Sequence, residues 1–254
     1  MLAFEPPHFG AGLGTHATLG GAIAAGLCGP RRATAGALRD FVLGIKIMDG
    51  RGEIQSFGGQ VMKNVAGYDV SRLMAGALGT LGLILEASLK VLPRPVAELT
   101  LRLHLPQDKA LEAMNRWAGQ PLPVSATCWH DDELTVRLSG AKSAVTKTRE
   151  LIGGELIEDG DEFWRGVREQ SDQFFAADGF TSETPLWRLA VTSTCAPLVL
   201  PGRQLIEWGG SLRWFKTNAS TERARAVATV SDGHATLFRG GDKTIGVFQP
   251  LPAA

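Results

Sequence analysis

The chain has 254 residues, and its 26 lysines and arginines balance 26 aspartates and glutamates, so it has no net charge at pH 7. It therefore lacks the basic excess that binds nucleic acid phosphates, and we expect no nucleic acid partner. The lack of a C-x-x-C pair excludes a zinc ribbon or a disulfide framework and favours a reducing compartment; the three cysteines are Cys28, Cys128 and Cys195. Residues 1–9 have no basic n-region and are not expected to be a signal peptide, and the weakly charged stretches at 17–30 and 73–85 are too short to span a membrane.

Glycine is abundant, at 31 residues, and it crowds the first third of the chain. In chain order we predict a short close-packed helix or turn at 18–27, a strand at 40–48, a hairpin turn at Asp49-Gly50, a return strand at 53–57, a helix at 70–77 and a buried strand at 81–91. Pro93-Arg94-Pro95 ends the last of these strands. We place a domain boundary there, between a first domain of residues 1–95 and a second of residues 96–254.

The second region has the order β-α-β-β-α-β, which is the ferredoxin-like pattern with an antiparallel sheet. Its predicted elements are strands at 98–105, 124–129, 133–138 and 155–157 and helices at 109–117 and 145–152. Further along, the spacing predicts one amphipathic helix at 161–175, strands at 186–192, 204–215 and 235–239, and a helix near 221–227. The fold class is therefore α+β.

Two glycine motifs near the start are candidates for contact with a phosphate group. Gly12-Leu13-Gly14-Thr15-His16-Ala17 matches the dinucleotide fingerprint G-x-G-x-x-A. The two prolines of Glu5-Pro6-Pro7-His8 stand where that fingerprint needs a central strand, which argues against a dinucleotide fold. Thr18-Leu19-Gly20-Gly21 exposes backbone N–H groups that would let a helix start approach a pyrophosphate. A close contact between a helix and a sheet would use the same small residues, so both interpretations stay open.

Polar turns and a second glycine-rich segment follow. Arg39-Asp40 is either a structural ion pair or the charged edge of a ligand-binding loop. Lys63-Asn64 and Gly67-Tyr68-Asp69 form a polar turn whose backbone groups could hydrogen-bond a flavin ring, while a lone Asp69 is better explained as the cap of the next helix. Gly79-Thr80-Leu81-Gly82-Leu83-Ile84 is a glycine-spaced entry into an apolar run, which allows close approach of the backbone to a large flat ligand.

Side chains that would act on a substrate are few. None of the five histidines forms an H-x-H or H-E-x-x-H arrangement, so we expect no metal site, and we assign no catalytic base. His234 is a candidate for a polar role in a cleft, against the simpler interpretation of a structural histidine. Arg188 and Arg213 alternate outward on predicted strands, and one of them is a candidate for bidentate pairing with a substrate carboxylate.

In combination, four segments of the chain resemble one known family. The segments 18–26, 36–44, 63–69 and 79–82 resemble the FAD-binding domain of the vanillyl-alcohol oxidase/PCMH type. Together with Gly29-Pro30-Arg31, they are most similar to the FAD-binding subunits (E subunits) of bacterial glycolate oxidases. The resemblance runs from about Pro6 to Leu251, and it implies part of a PCMH-type FAD-binding domain followed by a ferredoxin-like cap domain. It implies that the residues near the FAD are Thr18, Gly20, Gly21, Gly26, Arg39, Asp40, Asn64, Gly67, Tyr68, Asp69, Gly79, Gly82 and Ile84.

The resemblance also implies an activity and partners. These are FAD-dependent oxidation of glycolate, or a similar small 2-hydroxy acid, to the 2-oxo acid, within a complex that holds a paralogous flavoprotein subunit and an iron–sulfur subunit that takes the electrons. The implied location is cytoplasmic, or peripheral on the inner face of the cell membrane through the complex. His16 is the residue to examine for a covalent flavin link. The rival interpretation is a non-catalytic assembly subunit with a degenerate flavin fold.

The chain departs from the family pattern at both ends. The family's domain begins with an extra α/β lobe that carries a Gly-Gly-Gly phosphate loop, and Met1 lies only a short way before Thr18, so we expect that lobe to be absent. An Asn-Pro-Gly-Arg-like tail is also missing after Leu251, so we expect a chain truncated at both ends. Losing several backbone donors together would weaken FAD binding. Losing the lobe would expose apolar faces, including Ile84 and Leu85.

Overall fold

The structure, a computed structural model, describes residues 1–9, 17–59, 68–176 and 183–251. The chain divides into two compact units. The first unit is Met1–Arg94 together with Trp164–Gln170, and the second is Pro95–Phe163 together with Ser171–Ala254. The first unit therefore includes a short segment that follows it by about seventy residues in the sequence.

The first unit is a small antiparallel sheet with short helices. Its elements are α1 (Leu19–Ala25), α2 (Arg32–Ala35), a 3-10 turn at Leu38–Phe41, β1 (Val42–Met48), β2 (Ile54–Gly58), α3 (Val70–Leu73) and β3 (Leu83–Leu89). The strand order is β2-β1-β3, and both pairings are antiparallel. The core is formed by apolar side chains that include Phe4, Ile23, Phe41, Ile45 and Met74. The expected first helix, strand and return strand are thus found, and the helix expected at 70–77 is shorter.

Strand β3 differs from the buried strand expected at 81–91. Among the described strands it pairs only with β1 and so lies at the edge of the sheet, where Leu83 and Leu85 are 63% and 40% exposed. Successive side chains of a strand point to opposite faces, and Ile84 accordingly packs against the core. Leu85 is exposed, whereas Ile84 is half-buried against the core, so its expected exposure is found only in part.

The second unit is built on one eight-stranded antiparallel sheet. Its strands are β4 (Ala97–His104), β5 (Val124–His130), β6 (Glu133–Gly140), β7 (Glu155–Ile157), β8 (Leu186–Ala190), β9 (Arg203–Glu207), β10 (Leu212–Lys216) and β11 (His234–Arg239), in the spatial order β11-β8-β10-β9-β5-β6-β4-β7. The helices from Gln107 onward are α4 (Gln107–Ala118), α5 (Lys142–Ile152), α6 (Gly160–Glu169), α7 (Gln173–Ala176) and α8 (Thr221–Val230), and the residues of α6 from Trp164 onward belong to the first unit. The part β5-β6-β4-β7 with α4 and α5 has the expected ferredoxin-like arrangement, which is confirmed.

Helices cover one face of this sheet at two places. Side chains of α4, among them Leu111, Met114 and Trp117, pack against β-strand residues such as Leu134 and Val136. Near the other end of the sheet, Ala224 and Ala228 of α8 pack against Trp187 and Phe215. The apolar periodicity of these helices explains both clusters, because residues three and four apart share a helix face.

Two expected elements are each divided in the structure. The helix expected at 161–175 is α6 followed by α7, and the break falls at Gln170, which has a φ of +56° that an L-residue helix does not contain. The strand expected at 204–215 is the hairpin of β9 and β10, turned by a 3-10 segment in which Gly209 has a φ of +65°. Within the described ranges, no helix is long and apolar enough to cross a membrane.

Candidate functional site

A pocket opens in the first unit between the chain segment 6–9 and one face of α1, from its cap at Thr18 to Leu27 just beyond its end. Its volume is about 180 Å³, and its lining includes Pro6, His8, Phe9, Thr18, Gly21 and Ala25. Thr18 caps α1, since its Oγ1 accepts a hydrogen bond from the Gly21 backbone N–H at 3.0 Å. A Cβ at Gly21 would lie 3.0 Å from this oxygen. Two of the predicted cofactor residues, Thr18 and Gly21, therefore shape this pocket together.

A second group of the predicted residues holds α1 in place. A Cβ at Gly20 would lie 4.0 Å from Ile84, so α1 lies close to β3 at this point. Gly26 ends the helix with a φ of +64°, and a Cβ there would lie 2.8 Å from the Gly76 Cα. The N–H of Gly76 donates to the carbonyl of Ile23 at 2.9 Å. The helix–sheet contact, which was the second interpretation of the segment 18–21, is therefore present at Gly20, whereas Gly26 packs against the turn after α3.

The predicted acidic residues are brought together by an arginine. Asp69 caps α3 by accepting from the Arg72 N–H at 3.1 Å, as its capping interpretation predicts. The Arg72 guanidinium lies 3.2 Å from the Asp69 carboxylate and 4.0 Å from that of Asp40. Asp40 also accepts from the Ala37 N–H at 3.0 Å. The proposed ion pair of Asp40 with Arg39 is not formed, because Asp40 pairs with Arg72 instead.

Of the remaining predicted positions, Tyr68, Gly79 and Gly82 are described and are not among the residues that line the pocket. Tyr68 is 96% exposed. Gly79 has a φ of +76° with open space where a Cβ would stand. Gly82 allows the start of β3 to pass close to Met48, since a Cβ on Gly82 would lie 2.8 Å from the Met48 carbonyl oxygen. Asn64 and Gly67, as well as His16 and the rest of the fingerprint at 12–16, lie outside the described residues.

The sequence did not reveal what holds the segment 6–9. The Glu169 carboxylate accepts hydrogen bonds from the backbone N–H groups of His8 at 2.7 Å and Phe9 at 3.0 Å, and it pairs with Arg168. Burial raises the pKa of Glu169, but the hydrogen bonds from His8 and Phe9 and the charge of Arg168 together hold it below its ordinary value. Glu169 is separated from His8 by 161 residues, and no local pattern marks such a pair.

In the second unit, the Arg188 guanidinium lies near two tryptophan rings. Its guanidinium carbon is 5.3 Å from the Trp208 ring and 6.0 Å from that of Trp214, at the range of cation–π attraction. Partial burial lowers the pKa of His234, and the Arg188 charge lowers it further. Arg213 lies on the opposite face of the sheet and is fully buried. The expectation that both arginines point outward is wrong for Arg213.

Among the described residues no cluster of metal-ligating side chains is found.

The sequence of the chain matches a family of known domains. Residues 6–58 match the family described as FAD binding domain, a range that contains α1 and the pocket-lining segment. The glycolate oxidase subunit GlcE of Escherichia coli is 47% identical over 253 residues, which are 100% of this chain and 68% of that protein. The chain belongs to the GlcE family of glycolate oxidase subunits. This confirms the family resemblance on which the FAD-binding expectation rests.

Other relatives match only part of the chain. The glycolate oxidase subunit GlcD of Bacillus subtilis is 42% identical over 84 residues, which are 33% of this chain and 18% of that protein. A D-lactate dehydrogenase of Archaeoglobus fulgidus is 36% identical over 121 residues, or 47% of this chain and 27% of that protein. A solved alkyldihydroxyacetonephosphate synthase structure has a TM-score of 0.60 at 14% identity and covers 92% of this chain and 55% of its own. That likeness shows the fold, and the expected α+β class is confirmed.

Proposed function

We propose that the chain is an FAD-binding subunit of a glycolate oxidase complex, in which glycolate or a related 2-hydroxy acid is oxidised to the 2-oxo acid. The observation that carries this proposal is that the FAD binding domain match at 6–58 coincides with the pocket between the segment 6–9 and α1. The relationship to a GlcE subunit along the whole chain supports the complex. The partial relationships to GlcD and to a D-lactate dehydrogenase support a 2-hydroxy acid as substrate.

The pocket fits one segment of an FAD molecule. Its volume of about 180 Å³ is below the range of roughly 300–1,000 Å³ for pockets that enclose a whole ligand. Glycines and alanines line it on the α1 side, so the backbone can come close to a ligand without a side chain between them. We propose that Thr18 and Gly21 contact the pyrophosphate or ribose, while Gly20, Gly26 and Ile84 position α1 beneath them.

The flavin supplies the redox chemistry when it is bound, by accepting the hydride that leaves the alcohol carbon. The residues of this chain bind and orient the cofactor. The charged group of Asp40, Asp69 and Arg72 is proposed to lie at a polar edge of the cofactor, with Arg39, Tyr68 and the turn that contains Gly79 and Gly82 beside it. The neighbours in the complex are proposed to be a GlcD-type flavoprotein and an iron–sulfur subunit, in the cytoplasm or on the inner face of the cell membrane.

Arg188 is the proposed partner of the substrate carboxylate. It is half-buried and carries a planar fork of donors that fits a carboxylate in bidentate geometry. Arg213 is no longer a candidate, because it is fully buried on the other face. In an active complex, Arg188→Lys is expected to raise KM for glycolate by about tenfold through loss of the fork. The exposed Arg223→Lys is the matched control, and an unchanged KM in Arg188→Lys would remove Arg188 from the site.

A flavin count on the purified complex tests the main proposal. We expect flavin to copurify with this chain in addition to any flavin on the paralogous subunit. Gly21→Val places a side chain in the pocket and is expected to weaken flavin retention by at least about tenfold, or ~1.4 kcal/mol. Gly50→Val is the control, since a Cβ at Gly50 meets open space. If all flavin resides on the paralogous subunit, the chain is an assembly subunit and the proposal fails.

A further inference from the structure

Arg213 is an arginine in an apolar setting that the proposed function does not use. It stands on β10 and is 0% exposed. Its cross-strand neighbours are Leu189 on β8 and Ile206 on β9, and both are also 0% exposed. These neighbours belong to the two apolar clusters beneath the helices. A guanidinium stays protonated in proteins, so Arg213 places a positive charge inside the covered face of the sheet.

The guanidinium of Arg213 is only partly satisfied. Its Nε donates to the carbonyl of Gly210 at 2.6 Å, and its Nη2 donates to the Sγ of Cys195 at 3.7 Å. Its Nη1 has no hydrogen-bond partner in the part of the chain that the structure describes. Burial lowers the pKa of Arg213, and the group that opposes this effect is Cys195. Among the described residues, the Cys195 sulfur is thus the side-chain acceptor that the Arg213 guanidinium contacts.

Cys195 is held in place and is only partly buried. It lies in the loop after β8, is half-buried, and packs at the border of the cluster that contains Trp187 and Phe215. Its backbone N–H donates to the carbonyl of Thr192 at 3.1 Å, which fixes the turn. A thiolate beside a cation, with one side open to solvent, is the setting in which cysteine reacts readily.

The other two cysteines have different settings and serve as internal controls. Cys128 is 3% exposed, and burial raises its pKa, with the charges of Glu207 and Asp172 adding to the effect. Cys28 is half-buried, but its sulfur accepts from the Leu38 N–H at 3.2 Å and donates to the carbonyl of Gly26 at 3.7 Å. Cys128 is thus closed to solvent, and the Cys28 sulfur is engaged by backbone groups.

We propose that Cys195 is a peroxide-reactive thiol whose thiolate is the counterion of Arg213. In the reaction, the Cys195 sulfur attacks one oxygen of hydrogen peroxide, an S–O bond forms, the O–O bond breaks, and the leaving hydroxide takes the proton of the new S–OH group to become water. The sulfur is oxidised by two electrons to a sulfenate and the peroxide is reduced. The new oxygen can accept from the Nη1–H of Arg213, which satisfies the buried donor that is now unpaired. This proposal does not depend on the proposed function.

The test uses the full chain and a trap for sulfenic acids. The protein is treated with hydrogen peroxide in the presence of dimedone, and the trapped fraction at each cysteine is measured by peptide mass spectrometry over time. We expect Cys195 to be trapped at least about tenfold faster than Cys28 or Cys128, because the Arg213 charge favours its thiolate over both and its access exceeds that of Cys128. Trapping of Cys195 at or below the rate of Cys28 would overturn the proposal.

Variants of the arginine test the cause. An opposite charge within a few ångströms changes the ionised fraction of its partner by about tenfold or more. A thiolate that is stabilised in this way is also less nucleophilic, which offsets part of the increase in reaction rate. Arg213→Met is therefore expected to slow the alkylation of Cys195 by iodoacetamide about three- to tenfold. Arg223→Met, on the exposed face of α8, should leave the rate unchanged. An unchanged rate in folded Arg213→Met would refute the ion pair.

A second variant separates charge from hydrogen bonding. Arg213→Lys keeps the positive charge but loses the planar fork, so its alkylation rate should stay near that of the wild type while its sulfenate decays faster. If the lysine variant alkylates as slowly as the methionine variant, charge is not the cause and the proposal fails. If neither variant folds, the ranking of the three cysteines in the wild-type chain decides the proposal.

Discussion

The carboxylate of Glu169 is expected to hold the segment 6–9 in its position along the pocket. Glu169→Gln removes the charge of this side chain with little change in its shape. One of its oxygens accepts from the N–H groups of His8 and Phe9 at 2.7 and 3.0 Å, and the other lies 2.6 Å from Arg168. A glutamine carbonyl can still accept from the two amides, but without a negative charge. The variant therefore tests the charge rather than the presence of an acceptor.

The expected loss follows from these contacts. Hydrogen bonds to a charged group contribute about 1.5–3 kcal/mol each, and their neutral counterparts are roughly half as strong, so replacing the carboxylate should cost about 2 kcal/mol for the pair of amides. The Glu169 side chain is 19% exposed, so water screens these bonds only partly. A local loss of about 2 kcal/mol corresponds to about 30-fold faster hydrogen exchange at His8 and Phe9, if exchange proceeds by local opening.

Hydrogen exchange of the N-terminal peptide, read by mass spectrometry, measures this directly. Glu150→Gln on the exposed surface of α5 is the matched control and should change nothing beyond about 0.5 kcal/mol. Equal exchange in the Glu169 and Glu150 variants would show that the carboxylate does not hold the segment. A reduced flavin content in Glu169→Gln, together with faster exchange, would link the segment to the cofactor.

The pH dependence supplies an independent check of the same contact. Because the pKa of Glu169 is lowered in the folded chain, its stabilisation is complete above the unfolded value, about 4.3, and it is lost as the pH falls through the folded value. The wild type and Glu169→Gln should therefore differ in stability at neutral pH and converge in acid. A difference that grows as the pH falls from about 5 to about 3 would contradict the assignment.

Two further substitutions test the packing of α1 and the electrostatics of the second unit. Gly26→Ala should destabilise the chain by about 2–3 kcal/mol, because the left-handed backbone disfavours a Cβ and the new Cβ would lie 2.8 Å from the Gly76 Cα. The control, Gly79→Ala, has only the conformational cost of about 1 kcal/mol. Equal shifts of the unfolding midpoint in urea for the two variants would refute the distinction. Arg188→Gln should raise the pKa of His234, because the Arg188 charge lowers it, and an unchanged NMR titration of the imidazole would show that the two groups do not interact.

Local patterns predicted those parts of the fold that local interactions determine. The spacing of Leu111, Met114 and Trp117 predicted α4 because residues on one helix face must be buried together. The capping role of Asp69 followed from its place before a helix, and the structure shows that hydrogen bond. The contact of Glu169 with the segment 6–9 was not predictable in this way, since a carboxylate that binds backbone amides far away in the sequence leaves no periodic signal.

The two arginines show where strand alternation stops being informative. Alternation correctly places neighbouring residues such as Arg213 and Trp214 on opposite faces, but it does not say which face is covered. Here α4 and α8 cover one face, and on the other Phe175 of α7 packs edge-on against Trp214, with ring centres 5.6 Å apart. A polar residue that is fully buried on such a sheet needs a partner of its own. Arg188 lies on the face that α4 and α8 do not cover, near two tryptophan rings. Arg213 lies on the covered face beside Cys195, and among the described residues its Nη1 has no hydrogen-bond partner. The difference in face is why Arg188 is the proposed partner of a carboxylate and Arg213 the proposed cause of cysteine reactivity.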